Sequence, residues 1–151
     1  MNKRVLLKPA NWIFNNSFPL YKFLYFNFKL SQDAENLNLI KSFVKSGDVL
    51  LDIGANIGFY TIELSKMVGE SGRVHSFEPD KKNYSYLQST TKKLTNVALN
   101  NKAVADKDGT TVLYTSDALN VEHTTYKPVH FADTFEIEQT SILINFTGNF
   151  D

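Results

Sequence analysis

The sequence predicts an α/β fold: an open parallel sheet, strand order 3-2-1-4, with helices on both faces. Three observations carry this. Val49-Leu50-Leu51-Asp52-Ile53 is an apolar run meeting one acid, as suits a strand buried on both faces. It leads into Gly54-Ala55-Asn56-Ile57-Gly58, after which Ile57, Tyr60, Leu64, Met67 and Val68 keep helical spacing. A second strand, Arg73 to Glu78, ends in an acid 20 residues beyond Gly58. The polar candidates then share one geometry. Asp52 to Gly58, Glu78, Asn101 to Ala103 and Asn145 all fall at carboxyl ends of expected strands, the edge where open α/β sheets bind ligands.

The composition narrows the class. A chain of 151 residues with 42% hydrophobic residues implies one domain with a real core. Lys+Arg and Asp+Glu are both 16, so no basic face for nucleic acid is expected. There is no cysteine, which removes disulfides and thiolate metal sites, and no metal is expected. Val5-Leu6-Leu7 is too short for a signal-peptide core, and no run reaches the ~18 apolar residues of a spanning helix. A cytoplasmic location is therefore the expectation. The sequon Asn145-Phe146-Thr147 carries no weight without a secretion signal.

Residues 1–46 read as an aromatic-rich extension and helix, and 47–151 as the α/β domain. Trp12-Ile13-Phe14 and Tyr21 to Phe28 are heavily aromatic and separated by Pro19. They suit a lid or brace on the core. A membrane-surface contact through residues 12–30 is the sharper alternative. Ser31 reads as a helix N-cap before Asp33 and Glu35, and Ser46-Gly47 as the end of that helix.

At the turn, Gly54 allows a sharp bend and close ligand approach. The amides opening the helix favour a negative or polar group. A dinucleotide fingerprint needs its second glycine where Asn56 stands. The order acid-x-Gly-x-Asn-x-Gly suits S-adenosylmethionine better, because that ligand has no phosphate and wants a polar, partly acidic wall. Glu78 has the spacing of a carboxylate that accepts from both ribose hydroxyls. Pro79-Asp80 starts the next helix, with Asp80 as cap, and that helix runs from Lys81 to about Leu94. Asn96 to Val104 reads as the third strand and its exit. Asp106-Lys107-Asp108-Gly109 is a hairpin turn into a short strand, Thr111 to Tyr114. Asp117 to Pro128 reads as a loop containing Asn120 and His123; His123 is a candidate base. Thr140 to Asp151 has the shape of a fourth buried strand and its glycine exit.

Gly47 to Thr61, with the string GANIGFYT, together with Phe77-Glu78-Pro79-Asp80, resembles the FkbM-type methyltransferases of the class I, Rossmann-like group. The resemblance implies S-adenosyl-L-methionine as cofactor, held by Asp52, Gly54, Ala55, Asn56, Gly58, Glu78, Pro79, Asn101 and Ala103. Asn101 to Val104 would border the adenine ring. It also implies O-methylation of a sugar or other small natural-product hydroxyl. Where the family has a strand ending I-D-V-E-G, this chain has Ile144-Asn145-Phe146-Thr147-Gly148. Asn145 and Thr147 replace both acids, and neither can take a proton as a carboxylate does. Asn145 is the other catalytic candidate.

A complete sheet of this kind has seven strands, so the chain is expected to stop after the fourth core strand, holding the cofactor half. Two other readings stay open. One is a degenerate or truncated cofactor-binding module whose sheet a partner chain or oligomer completes. The other is a nucleotide-dependent oxidoreductase.

Overall fold

The structure, a computed structural model, describes residue 10 and residues 12–115, 123–124 and 133–141. Its centre is a parallel sheet of β1 (Val49–Ile53), β2 (Arg73–Phe77) and β3 (Val97–Asn100) in the order β1-β2-β3. Leu50 stands beside Val74 and Val74 beside Val97, which puts apolar residues of three strands in one row. That row meets Leu64 and Val68 of α4 (Phe59–Val68), and Ile40, Val44 and Met67 close around them. These strands are the 3-2-1 part of the expected order. Of the expected fourth strand, Thr140 and Ser141 end a different strand, and residues 142–146 lie outside the described residues.

Right-handed crossovers in the order 1-2-3 put successive helices on one face of a sheet. So it is here. α4 lies across β1 and β2. α5 (Lys81–Thr91) sits beside its start, so close that a Cβ on Gly58 would come within 2.8 Å of Leu87 Cδ1. The N-terminal helices stack outside this pair. They are α1 (residues 12–16), α2 (Phe18–Gln32) and α3 (Ala34–Phe43). Phe14 is buried edge-on to Tyr21 and Tyr86, and Phe18 stacks on Tyr86 of α5. Phe26 meets Phe59, the first residue of α4. The aromatic segment thus braces the two helices that follow the candidate loops.

One expectation in this region is corrected. Ser31 does not start a helix; α2 runs through it to Gln32, and Asp33 forms the break before α3. Pro19 sits in the first turn of α2, where its missing N–H costs nothing. The Asp33 side chain is used tertiarily instead. It accepts from the Tyr60 hydroxyl at 2.7 Å and pairs with Lys29, whose ammonium lies over the Phe59 and Tyr60 rings. The Lys29 hydrogen bond holds the Asp33 carboxyl below its usual range, with the Tyr60 bond adding to it. Tyr60→Phe keeps the ring and removes only the hydroxyl. We expect a loss of ~1–2 kcal/mol by denaturant unfolding, with faster amide exchange confined to α2 and α3.

The second sheet joins β4 (Ala103–Ala105), β5 (Gly109–Thr115), β6 (His123–Thr124) and β7 (Asp133–Ser141) in the order β4-β7-β5-β6. Asp108-Gly109 does not close a hairpin between β4 and β5. Both pair with β7, β4 in parallel and β5 antiparallel. His123, expected in a loop, lies in β6 opposite Thr115. Among the described residues no helix is long and apolar enough to cross a membrane.

Candidate functional site

The site is built where β1 and β2 end. Beyond Ile53 the chain turns at Gly54, whose φ of 81° is open to glycine and strained for other residues. The turn is pinned to the neighbouring strand: the N–H groups of Gly54 and Ala55 both donate to the Phe77 carbonyl, at 2.9 and 3.0 Å. Asn56 follows in the left-handed region at φ 50°, and its side-chain Oδ1 accepts from the Ile57 N–H at 2.7 Å. Asn is among the residues that tolerate this conformation. Its main-chain N–H points at the end of β2 and donates to Glu78 Oε2 at 2.8 Å.

Glu78 is the fixed point. Its N–H donates to the Asn100 carbonyl at 3.0 Å, which extends the β2–β3 pairing by one residue. Its Oε1 accepts from the Asp80 N–H at 3.0 Å. Each carboxylate oxygen therefore holds one backbone donor and keeps a second lone pair. The residue is 4% exposed. Burial pushes its carboxyl up from 4.5 to about 7, against the lowering of the two backbone bonds, and the nearby carboxylates of Asp80 and Asp52 push the same way. Asp80 caps α5 as the sequence predicts, with Oδ1 accepting from the Asn83 N–H at 2.7 Å.

Asn101 closes the third side. Its amide donates to the carbonyls of Glu78 at 2.8 Å and Pro79 at 3.1 Å. The donor end is thus spent on the backbone, and Oδ1 is what the side chain can offer a ligand. Ala103 opens β4, half-buried, beside Gln139 of β7. A cavity of about 480 Å³ is lined by Pro79, Lys81, Asn101, Lys102, Glu136 and Ile137, among others. It meets Pro79 and Asn101 but not the Gly54 turn.

Asp52 is turned elsewhere. Strand alternation puts it on the face of Leu50, under α4. There its Oδ2 accepts from the Thr61 hydroxyl at 2.5 Å, and Thr61 Oγ1 lies 3.1 Å from Ser76 Oγ. Burial raises its carboxyl above the usual range, while the Thr61 bonds pull the other way. The arrangement ties β1, β2 and α4 together beneath the turn. Thr61 and Ser76 were missed in the sequence, although the alternation that buries Val74 also points Ser76 inward. Thr61→Val preserves shape and leaves the buried carboxylate without that donor. We expect ~2 kcal/mol of destabilisation by thermal or denaturant melting.

The structure thus brings Gly54, Ala55, Asn56, Glu78, Pro79 and Asn101 to one edge, with Gly58 behind them against α5 and Asp52 beneath. The side chain of His123 is not among those described. Asn145 and Thr147 lie outside the described residues.

Comparison with known families decides the kinship. The model of the methyltransferase FkbM domain matches residues 52–148. The chain belongs to the FkbM methyltransferase family. A curated relative, the "Probable cobalt-precorrin-6B C(15)-methyltransferase (decarboxylating)" of Saccharolobus solfataricus, is 41% identical over 51 residues, 34% of this chain and 26% of its own length. A SAM-dependent methyltransferase from Aquifex aeolicus is 34% identical, with a TM-score of 0.43 over 46% of this chain and 38% of that one. A methyltransferase FkbM from Methylobacillus flagellatus is 19% identical, with a TM-score of 0.37 over 44% of this chain and 19% of that one. This FkbM chain therefore spans about a quarter of the curated relative it matches and about two fifths of the Aquifex structure.

Proposed function

We propose that this FkbM chain holds the cofactor of an S-adenosylmethionine-dependent methyltransferase that acts on a hydroxyl of a sugar or other small natural product. The observation that carries the reading is the meeting of Glu78 with the turn after β1. A buried carboxylate with two spare lone pairs stands at the end of β2, 2.8 Å from the Asn56 N–H. Beside it, a Cβ on Gly54 would meet no atom of the described residues within 4 Å. That emptiness is informative. The left-handed turn there leaves space at the strand end, and packing among the described residues does not use it.

The residues present fit the cofactor. Glu78 would accept both ribose hydroxyls. The backbone of Gly54 and Ala55 would border the amino-acid portion, and Asn101 Oδ1 would accept from the exocyclic amine of the adenine. When bound, S-adenosylmethionine supplies an electrophilic methyl on a sulfonium. The chain's own part is positioning: a turn tied to Phe77, a carboxylate tied to Asn56 and Asp80, and an amide tied to the β2 exit. Positioning of this kind can be worth ~7–11 kcal/mol of a barrier. Asn56 in place of a second glycine disfavours a nicotinamide dinucleotide, whose pyrophosphate needs closer backbone approach.

Calorimetric titration with S-adenosylmethionine, S-adenosylhomocysteine and NAD tests the reading. Saturable binding of the first two, and none of NAD, is the expected result. A folded chain that binds neither sulfur nucleoside overturns it.

A further inference from the structure

The second helix is built the wrong way round for a surface helix. Its inward face carries Tyr21 and Phe26, which meet Phe14 of α1 and Phe59 of α4, and Tyr25, stacked on Tyr21. Its outward face is apolar too. Leu20, Phe23, Leu24 and Phe28 repeat at helical spacing and are 47, 65, 48 and 60% exposed, and Leu30 flanks them at 44%. No charge interrupts this stripe; Asn27 and Ser31 are its polar members. Trp12 on α1 is 67% exposed. A helix apolar on two faces, one packed on the domain and one exposed, offers the second to another apolar phase.

The charge of the segment says which phase. The chain is neutral overall, yet residues 1–32 contain Lys3, Arg4, Lys8, Lys22 and Lys29 and no acid. The remaining residues therefore hold 11 of the 16 cations and all 16 acids, a net charge of 11 − 16 = −5. The apolar stripe thus belongs to a stretch of sequence that carries cations and no acid, with Lys22 on α2 itself and Lys29 paired to Asp33 just beyond it. A stripe of Trp, Phe and Leu within a basic segment matches the surface of an anionic bilayer, where apolar side chains enter the headgroup boundary and cations meet lipid phosphates. We infer that this FkbM chain docks on anionic lipid membranes through the outward face of α2, with Trp12 beside it. The inward face of α2 stays on the domain, so the Gly54–Glu78 edge is carried at a fixed height above the lipid.

Vesicles test this with the whole chain. Trp12 is the single tryptophan, so its fluorescence reports the segment directly. With vesicles of mixed phosphatidylcholine and phosphatidylglycerol, its emission is expected to shift to the blue and the chain to sediment with the lipid. Binding should weaken with salt and be about tenfold weaker or more on pure phosphatidylcholine. The double variant Phe23→Glu/Phe28→Glu should lose about tenfold or more, with its circular dichroism spectrum unchanged. Wild type that stays in the supernatant with an unshifted Trp12 overturns the inference. So does a chain that instead forms dimers in the ultracentrifuge, dissolved by the double variant, since the stripe would then belong to a second copy. A folded double variant that binds anionic vesicles like wild type overturns it as well.

Discussion

Glu78→Gln is expected to weaken S-adenosylmethionine binding roughly 10–100-fold, and to remove its pH dependence. The carboxylate serves two backbone donors, Asn56 and Asp80, and has room for two more. Gln can accept with one atom only, and its amide faces donors. In the wild type, burial holds the carboxyl near pH 7. Ribose hydroxyls favour the charged form, so cofactor affinity should be flat above pH 7 and fall about tenfold per pH unit below it. Calorimetry from pH 5.5 to 8.5 on both proteins reads this; a flat wild-type profile would sink the assignment of Glu78.

The same group makes a prediction for stability, with the opposite trend. Its folded value, about 7, lies above the ordinary 4.5, so folding takes up a proton between them. The stabilising contribution is complete below about pH 4.5 and is lost as pH rises through 7. It amounts to ~3 kcal/mol. Melting curves of wild type minus Glu78→Gln cancel the other titrating groups. The difference should turn against wild type between pH 5 and 8. The cofactor should restore part of it, because bound hydroxyls compensate the buried charge.

Gly54→Val is expected to abolish cofactor binding and spare most of the fold. A Cβ there meets no atom of the described residues within 4 Å, so the main folding cost is that of a positive φ, ~1–2 kcal/mol. The side chain would instead fill the space proposed for the ligand. Gly58→Ala is the matched control. Its Cβ would press on Leu87 Cδ1, 2.8 Å away, so it should destabilise the α4–α5 contact first. Calorimetry and thermal melting run together separate the two. A Gly54→Val chain that binds like wild type would remove the cofactor from this turn.

The legible parts of the fold are those whose signals are local. The run from Val49 through Gly58 contains its own strand, turn and helix start, and Asp80 lies three residues before the N–H it caps. The α1–α3 region was harder. Ser31 followed by acids looks like a beginning, but Asp33 is recruited by Tyr60, 27 residues on. Likewise Asp108-Gly109 advertises a hairpin, while a nine-residue strand that begins 24 residues later takes both neighbours. The spacing of Glu78 was readable. The orientation of Asp52, and the amide of Asn101 turned to the backbone, depend on contacts that no short window contains.

The placement of β7 between β4 and β5 has a kinetic consequence. Neither neighbour bonds to the other, so β4 owes its ladder, and β5 all but its end beside β6, to the same strand. If β7 lifts away, Ala103–Ala105 and the β5 residues Gly109 to Leu113 lose their cross-strand partners in one event, while Tyr114 and Thr115 keep β6. Amides that β4 and β5 pair to β7 should then exchange with solvent at a common rate, as a single opening unit. In that opened state two bare edges stand ready to recruit a strand from another molecule. The cohesion of the second sheet is concentrated in one segment.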